Sequence, residues 1–548
     1  MFLLPEIFSP PISLRLSGLE DTRQSSSLQD AGQSQFSEDS SRKNNYLIEC
    51  SFGLIGAFAV SLTLAATTAL SAAAAVPTPN YRISPFDGSI IALPTQDQLD
   101  FQDKEYGVLI HFEMGTYLSI DGCNSISSLV PNLTLFDPAL LNTDQWMDSI
   151  TALGAKYATL VAKHNCGFTT WPSNVTFQTA DNTTIAYNYT IAGTPVAGED
   201  VVKMFTESAE KYGVGHGLYY STVVNNFLNV QKSEVNATWG GEGQVRITND
   251  TYDEIVIAQL TELWSNYGSL TEIWFDGGYS AEQQETYIDL LAKLQPKAAI
   301  FNACDVTSGD CLTENSVRWV GTESGEAPLE NWSTGITNDS GNASSPYFCP
   351  AVCDTTLQTD DRWFYGVNQP LRSIEELIAV YHVSVGRNCL LELDVSPDRS
   401  GLILAGHAAR YKQLGDFISS CYGSPVNAPA THNSSDDGTY TLMFDYATAI
   451  DRIMLMEDQT NGQVIRSYQV FAKIIDDGIT DGTLDVPWTE VANGTSIGHK
   501  RIEIFEPVTV TEVMVNTTFV DTPVWRSVSV HLCDQYVSTN TSSWEFTP

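Results

Sequence analysis

Residues 271–278 read Thr-Glu-Ile-Trp-Phe-Asp-Gly-Gly, an apolar strand core that stops at a carboxylate and two glycines. Strand side chains alternate, so Trp274 and Asp276 share one face while Ile273 and Phe275 share the other. An indole and an acid therefore line the same surface. The glycine pair lets the chain turn away and leaves space for a ligand beside the carboxylate. A solitary strand-end Asp is most often a turn or cap acceptor; its neighbours along the chain decide otherwise.

Outward from this stretch, apolar strand-like runs alternate with runs of helical period. Strands are predicted at Tyr106 to Phe112, Tyr157 to His164, Gly215 to Ser221, 271–278, Ala298 to Phe301, Val317 to Gly321, Trp363 to Tyr365 and Cys389 to Val395. Helices are predicted from Thr143, and at Asp200 to Tyr212, Tyr252 to Tyr267, Ala281 to Leu294, Ser373 to Val383 and Ala405 to Ser420. Buried strands alternating with helices call for a parallel sheet with helical crossovers, and eight such units match a (β/α)8 barrel. No Gly-x-Gly-x-x-Gly turn follows the first strand, which argues against a dinucleotide, and no cofactor is expected. The barrel is expected over residues 77–422. Residues 423–435 read as a linker. Residues 436–548, with short β-rich runs broken by Asp-Gly and Asn-Gly pairs, read as an antiparallel β-sandwich that either binds sugar or stabilises the barrel.

The chain has 548 residues, 43% of them hydrophobic, and a formal net charge of −39. That charge excludes nucleic acid and anionic lipid as partners, and leaves a neutral substrate untroubled. Residues 1–46 lack apolar periodicity and are read as a disordered extension. Residues 47–76 contain an uncharged stretch, 51–76, preceded by Arg42 and Lys43 and ending in an alanine run. That pattern fits a signal peptide, with a type II membrane anchor as the alternative. Asn-x-Ser/Thr triplets recur from Asn132 to Asn540, as in a secreted glycoprotein. Nine cysteines follow the leader, so at least one is unpaired within the chain. Cys304 with Cys311 and Cys349 with Cys353 are the expected short-loop disulfides. The Cys349/Cys353 spacing has no nearby His, so no metal site is expected.

A barrel of this kind gathers its chemistry at the C-terminal ends of its strands. In order those ends carry His111, His164, Tyr220, Asp276, Glu323 and Trp363. Two carboxylates, Asp276 and Glu323, suit glycoside hydrolysis, in which the leaving oxygen is protonated while an anion meets the oxocarbenium ion. Glu323 then needs a raised pKa, from burial beside Trp319 and the charge of Asp276, with Glu326 as a rival acid. Trp171, Trp274 and Trp363 are candidates to face the apolar side of a sugar ring.

These residues resemble the α-L-fucosidases of glycoside hydrolase family twenty-nine over roughly Phe101 to Ile403. The resemblance is carried by Gly-Val-Leu-Ile-His-Phe (107–112), Lys-His-Asn-Cys-Gly-Phe-Thr-Thr-Trp-Pro-Ser (163–173), Glu-Ile-Trp-Phe-Asp-Gly (272–277) and Ser-Val-Gly-Arg-Asn-Cys-Leu-Leu-Glu-Leu (384–393). It implies Asp276 as nucleophile and, from Trp319-Val320-Gly321-Thr322-Glu323, Glu323 as acid/base of the branch that prefers α-1,3/1,4-linked fucose. It also implies fucose held by His111, His164, Trp274 and Tyr220, and no metal. Asn165 and Cys166 replace a His and an Asp usual in the family, Glu113 replaces a small Gly, and Pro350-Ala351-Val352-Cys353-Asp354 lacks a glutamate present in plant relatives. The expected function is a retaining exo-fucosidase acting on extracellular fucosylated glycans. The alternatives are a retaining glycosidase for another sugar and a catalytically degenerate fucose-binding protein.

Overall fold

Eight parallel strands close a barrel in sequence order: β1 (Tyr106–Ile110), β2 (Tyr157–Lys163), β3 (Gly215–Ser221), β4 (Glu272–Asp276), β5 (Ala299–Phe301), β6 (Ser316–Trp319), β7 (Ala351–Thr355) and β8 (Cys389–Val395). This computed structural model describes residues 76–123, 130–236, 240–426, 431–434, 437–475 and 486–533. The predicted extension and nearly all of the predicted leader lie outside those residues. The described residues belong to one unit, Ser71–Pro548.

Strand alternation divides the barrel into two apolar layers. Leu109, Tyr157, Val161, Tyr219, Trp274, Phe301, Val317, Val352 and Leu390 pack inside it. Val108, Leu160, Tyr220, Phe275 and Leu391 pack outward against the helices. Five crossover helices and one that follows β8 cover the outside: α1 (Thr143–Leu153), α2 (Val201–Tyr212), α3 (Asn249–Asn266), α4 (Gln284–Leu294), α5 (Ile374–Val383) and, after β8, α6 (Ala405–Tyr422). Their ends follow the capping chemistry of the sequence. Asn142 and Asp200 accept backbone N–H groups at the starts of α1 and α2, and Ser373 with Glu376 forms a capping box on α5. Gly154 and Gly213 end α1 and α2 at positive φ.

The eight-unit pattern needs two corrections. No helix occurs in residues 302–315 or 320–350, so loops replace the crossovers on either side of β6. The seventh strand is Ala351–Thr355, not the run at Trp363 to Tyr365. Trp363 stands in the loop after β7, where its backbone N–H and that of Phe364 donate to Asp121 Oδ1. Aromatic residues favour strands only as a packing tendency, and here the aromatic run packs over the barrel mouth.

Beyond α6 come β9 (Thr431–Ser434), β10 (Thr439–Glu457), β11 (Ile465–Ile474), β12 (Trp488–Gly494), β13 (Arg501–Phe519) and β14 (Trp525–His531), all antiparallel in one hydrogen-bonded sheet. β9 falls within the stretch read as a linker. Two of the short β-rich runs read from the sequence, 440–444 and 452–456, belong to one 19-residue strand, β10, broken in register between Met443 and Thr448 and again near Asp451. Such irregularities bend a strand, and side chains from both halves of β10 and β13 meet in one core with β11 and β14. The sheet contacts the N-terminal ends of barrel strands: Lys500 pairs with Glu105 before β1, and Asn388 before β8 bonds the backbone of His499 and Lys500. A Cys421–Cys533 disulfide ties α6 to the chain after β14. Among the described residues, none from this sheet lines the cavities at the opposite end of the barrel.

Candidate active site

At the C-terminal end of the barrel, Trp274 pairs with Tyr219 and Asp276 with Ser221 across β4 and β3. Tyr219 and Trp274 therefore face inward together, their rings stacked at 5.3 Å. Phe301 stacks on the far side of the indole at 3.7 Å, and Trp274 Nε1 donates to Glu392 Oε2 at 3.0 Å. The indole is clamped on both faces and at its edge. Tyr219 Oη donates to Asp276 Oδ2 at 2.6 Å. Burial and the Asp276 charge push the phenol pKa well above its ordinary value, so it remains a proton donor.

His111 and His164 enter the same space. His111 follows the inward Leu109 by simple alternation, and its Nδ1 is hydrogen-bonded to Asp394 Oδ1 at 2.8 Å. That leaves Nε2 for a ligand, and burial holds the ring well below the usual histidine range, hence neutral. His164 owes its position to an irregularity. By strict alternation it would face outward with Ala158, Leu160 and Ala162, but the β2/β3 register shifts between Val161 and Lys163. The shift sends Lys163 outward over the Tyr220 ring, 4.4 Å from its centroid, and turns His164 inward onto Tyr219. His164 Nδ1 is buried without a hydrogen-bond partner.

Glu323 stands at the rim on the loop after β6. Trp363 Nε1 donates to Glu323 Oε2 at 3.1 Å, and the Trp363 ring lies 5.0 Å from His111. Partial desolvation, with the negative charges of Asp361, Asp276 and Asp121, raises the Glu323 pKa against the lowering effect of that hydrogen bond. The indole of Trp319, expected to bury Glu323, donates to Asp354 Oδ1 at 2.6 Å. Glu326, the rival acid, is paired with Arg387 at 3.0 Å and lines neither cavity.

Two adjoining cavities meet here. The inner one, about 330 Å³, is lined by His111, His164, Asn165, Tyr219 and Trp363. The outer one, about 540 Å³, is lined by Gly277, Tyr279, Asn302, Asp305, Val306 and Asn338 among others. Trp274, Asp276, Glu323 and Asp354 line both. The arrangement sets three carboxylates, Asp276, Glu323 and the buried Asp354 held by Trp319, at the passage between two sugar-sized spaces, beside neutral imidazoles and a clamped indole.

Of the eight predicted residues, six meet at this site and two do not. Tyr220 faces outward, is 1% exposed, and donates its hydroxyl to Gln259 Oε1. The tyrosine in the cavity is Tyr219, because β3 alternates from Gly217, where a Cβ would lie 2.5 Å from the inward-facing Thr159 Oγ1. That crowded glycine was the available signal. Trp171 is also buried in the outer layer, with Nε1 donating to Glu262 Oε2 at 2.9 Å, and lines a separate groove. Sequence reasoning missed Tyr219 and did not weigh Asp121 or Asp361 as site residues. Glu392, the clamp on Trp274, was visible only as part of a motif.

The two unusual residues of the 163–166 run serve the backbone. Asn165 Oδ1 accepts the Cys123 N–H at 2.7 Å, and Cys166 is disulfide-bonded to Cys123. Together they anchor the segment that delivers Asp121. The Cys304–Cys311 disulfide forms as expected, but Cys349 is free and buried while Cys353 is joined to Cys389 on the neighbouring strand. Cys353 and Cys389 lie in adjacent strands, a pairing that sequence separation conceals. Glu113 is buried beneath the site, where desolvation raises its pKa to about 7.

The chain is similar throughout this region to known proteins. Residues 94–423 match the family model described as Alpha-L-fucosidase. "Alpha-L-fucosidase 1" of Arabidopsis thaliana is 26% identical over 462 residues, covering 77% of this chain and 83% of the relative. A solved structure from Bacteroides thetaiotaomicron, called a "putative alpha-L-fucosidase", superposes with a TM-score of 0.68 at 27% identity over 81% of this chain and 99% of its own. A glycoside hydrolase 29 family member from an unknown rumen bacterium shares the fold, with a TM-score of 0.67 at 23% identity over 81% of this chain and 78% of its own. With a closed parallel barrel, a paired-carboxylate site and a family match across the whole barrel, this chain belongs to the alpha-L-fucosidase family and is a glycoside hydrolase.

Proposed function

We propose that the protein is a retaining exo-α-L-fucosidase in which Asp276 is the nucleophile and Glu323 the acid/base. The observation that carries this reading is the position of both carboxylates in the wall common to the two cavities. A terminal fucose fits the inner cavity and the sugar that bears it the outer one, which puts the scissile bond between the acids. An Asp276 oxygen forms a bond to C1 as the C1–O bond breaks, and Glu323 gives its proton to the departing oxygen. Water, deprotonated by Glu323, then opens the glycosyl ester and releases α-L-fucose. The His111 and His164 rings, neutral because buried, hydrogen-bond sugar hydroxyls without repelling the developing positive charge. Trp274 supplies the apolar wall.

The Trp-x-Gly-x-Glu run ending at Glu323 supports a preference for α-1,3/1,4 linkages. The leader, the sequons and four disulfides among the described residues support a secreted protein, with a type II anchor through residues 51–76 as the alternative. The test is fucose release from Lewis-type trisaccharides, followed by NMR of the first-formed anomer. Initial α-L-fucose, and formation of β-L-fucosyl azide by Asp276→Gly in azide, are expected. Initial β-L-fucose would mean inversion, and no release from any linkage would overturn the reading.

A further inference from the structure

The outer cavity carries a feature that the fucose-binding residues do not explain. Its wall on the side of β5 is the loop after that strand, closed on itself by the Cys304–Cys311 disulfide and standing where a crossover helix would otherwise lie. The loop presents Asp305 and Val306 to the cavity, and Val306 is 58% exposed. Asp305 is held in place because its carboxylate accepts the Thr307 N–H at 2.7 Å within the same short ring. The Asp276 carboxylate lines the same cavity. Neither Asp305 nor Asp276 takes part in any ion pair among the described residues, whereas Asp121 and Asp361 of the inner cavity are paired with Arg362 and Arg372 at 3.0 and 3.6 Å. Among the described residues lining either cavity there is no Lys or Arg. The seat for the sugar that bears the fucose thus joins uncompensated negative charge to an exposed apolar side chain, on a chain whose net charge is already −39.

We infer that the disulfide-closed loop makes the outer cavity charge-selective. It admits neutral acceptor sugars and rejects glycans with a carboxylate or sulfate ester on the sugar that bears the fucose or on the one beyond it. Like charges in a partly desolvated cavity repel more strongly than in bulk water, and salt screens the part that reaches through solvent. The inference rests on the proposed placement of fucose in the inner cavity.

The experiment compares kcat/KM for three fucosylated oligosaccharides: a neutral parent, the parent extended by a sialic acid, and the methyl ester of that sialylated compound. The ester matches the acid in bulk and lacks its charge. At about 20 mM salt the acid is expected to be hydrolysed at least about tenfold less efficiently than the ester, with the gap narrowing to about threefold at 0.5 M salt. Asp305→Asn should move the acid-to-ester ratio toward one. Equal rates for acid and ester at low salt, a gap that salt leaves unchanged, or a ratio unmoved by Asp305→Asn would each overturn the inference while leaving the fucosidase assignment intact. Failure to hydrolyse all three substrates, with the fold intact by circular dichroism, would overturn the proposed function and this inference with it.

Discussion

Tyr219 Oη donates to Asp276 Oδ2 at 2.6 Å, and the two residues come from adjacent strands whose register sets them two residues apart, on the same inward face. A hydrogen bond to a carboxylate typically contributes about 1.5–3 kcal/mol. Its removal therefore disturbs the proposed nucleophile without touching the proposed sugar wall. Tyr219→Phe, which keeps the ring stack on Trp274, is expected to lower kcat by about 10- to 100-fold. KM should change little, and steady-state kinetics on a Lewis-type trisaccharide checks the split.

As the proposed acid, Glu323 must be protonated in the free enzyme, so activity is expected to fall as pH rises through its raised pKa. The Trp363 indole lowers that pKa, so Trp363→Phe should shift the alkaline limb of the kcat/KM profile to higher pH. Glu323→Gln should cost about 10²- to 10⁴-fold on natural linkages and much less on an aryl fucoside whose leaving group needs no proton. A Glu323→Gln variant equally slow on both would contradict the acid role.

The Cys123–Cys166 disulfide closes 43 residues of chain and anchors the segment that carries Asp121, whose carboxylate receives the Trp363 and Phe364 N–H groups. Replacing both cysteines by alanine is expected to cost about 2–4 kcal/mol of stability. Because Asp276 stands on β4 and Glu323 on the loop after β6, KM should rise more than kcat falls. Denaturant unfolding and kinetics measure the two effects separately.

Glu113 is fully buried, and desolvation raises its pKa to about 7 from 4.5. The folded state therefore binds more protons than the unfolded state between those values. Its stabilising contribution is complete below about pH 4.5 and is lost as pH rises through 7. Glu113→Gln carries no such titration. The difference in melting temperature, variant minus parent, should grow more favourable to the variant from pH 5 to pH 8. Lys163, lowered to about 7 by burial, changes protonation relative to the unfolded chain mainly above that pH and leaves the lower window to Glu113.

Much of the site was legible along the chain because the barrel collects strand ends, and strand ends can be found by period. Asp276, Trp274 and His111 followed from alternation alone. His164 reached the cavity for a reason alternation does not contain, the register shift after Val161. Tyr220 was taken for Tyr219 because two adjacent tyrosines close the same strand and only the pairing partner says which faces inward. Trp363 lines the inner cavity from a loop and not from the strand expected there, since an aromatic run over a barrel mouth has the composition of a strand. Cys353 looked nearest to Cys349 in sequence, yet parallel pairing sets it beside Cys389.

By itself the amino-acid sequence determined the alternation of strands and helices, the caps of the helices, the acid that ends β4 and a second acid just beyond β6. These are local properties, set by residue type and period within a few turns. Only the tertiary structure decided which tyrosine meets Asp276, that Trp363 holds Glu323, that Asn165 and Cys166 bind backbone and Cys123, and that two cavities share one carboxylate wall. Those relationships depend on register, crossover length and the closure of the barrel, and each joins residues tens to hundreds of positions apart whose proximity no local preference encodes.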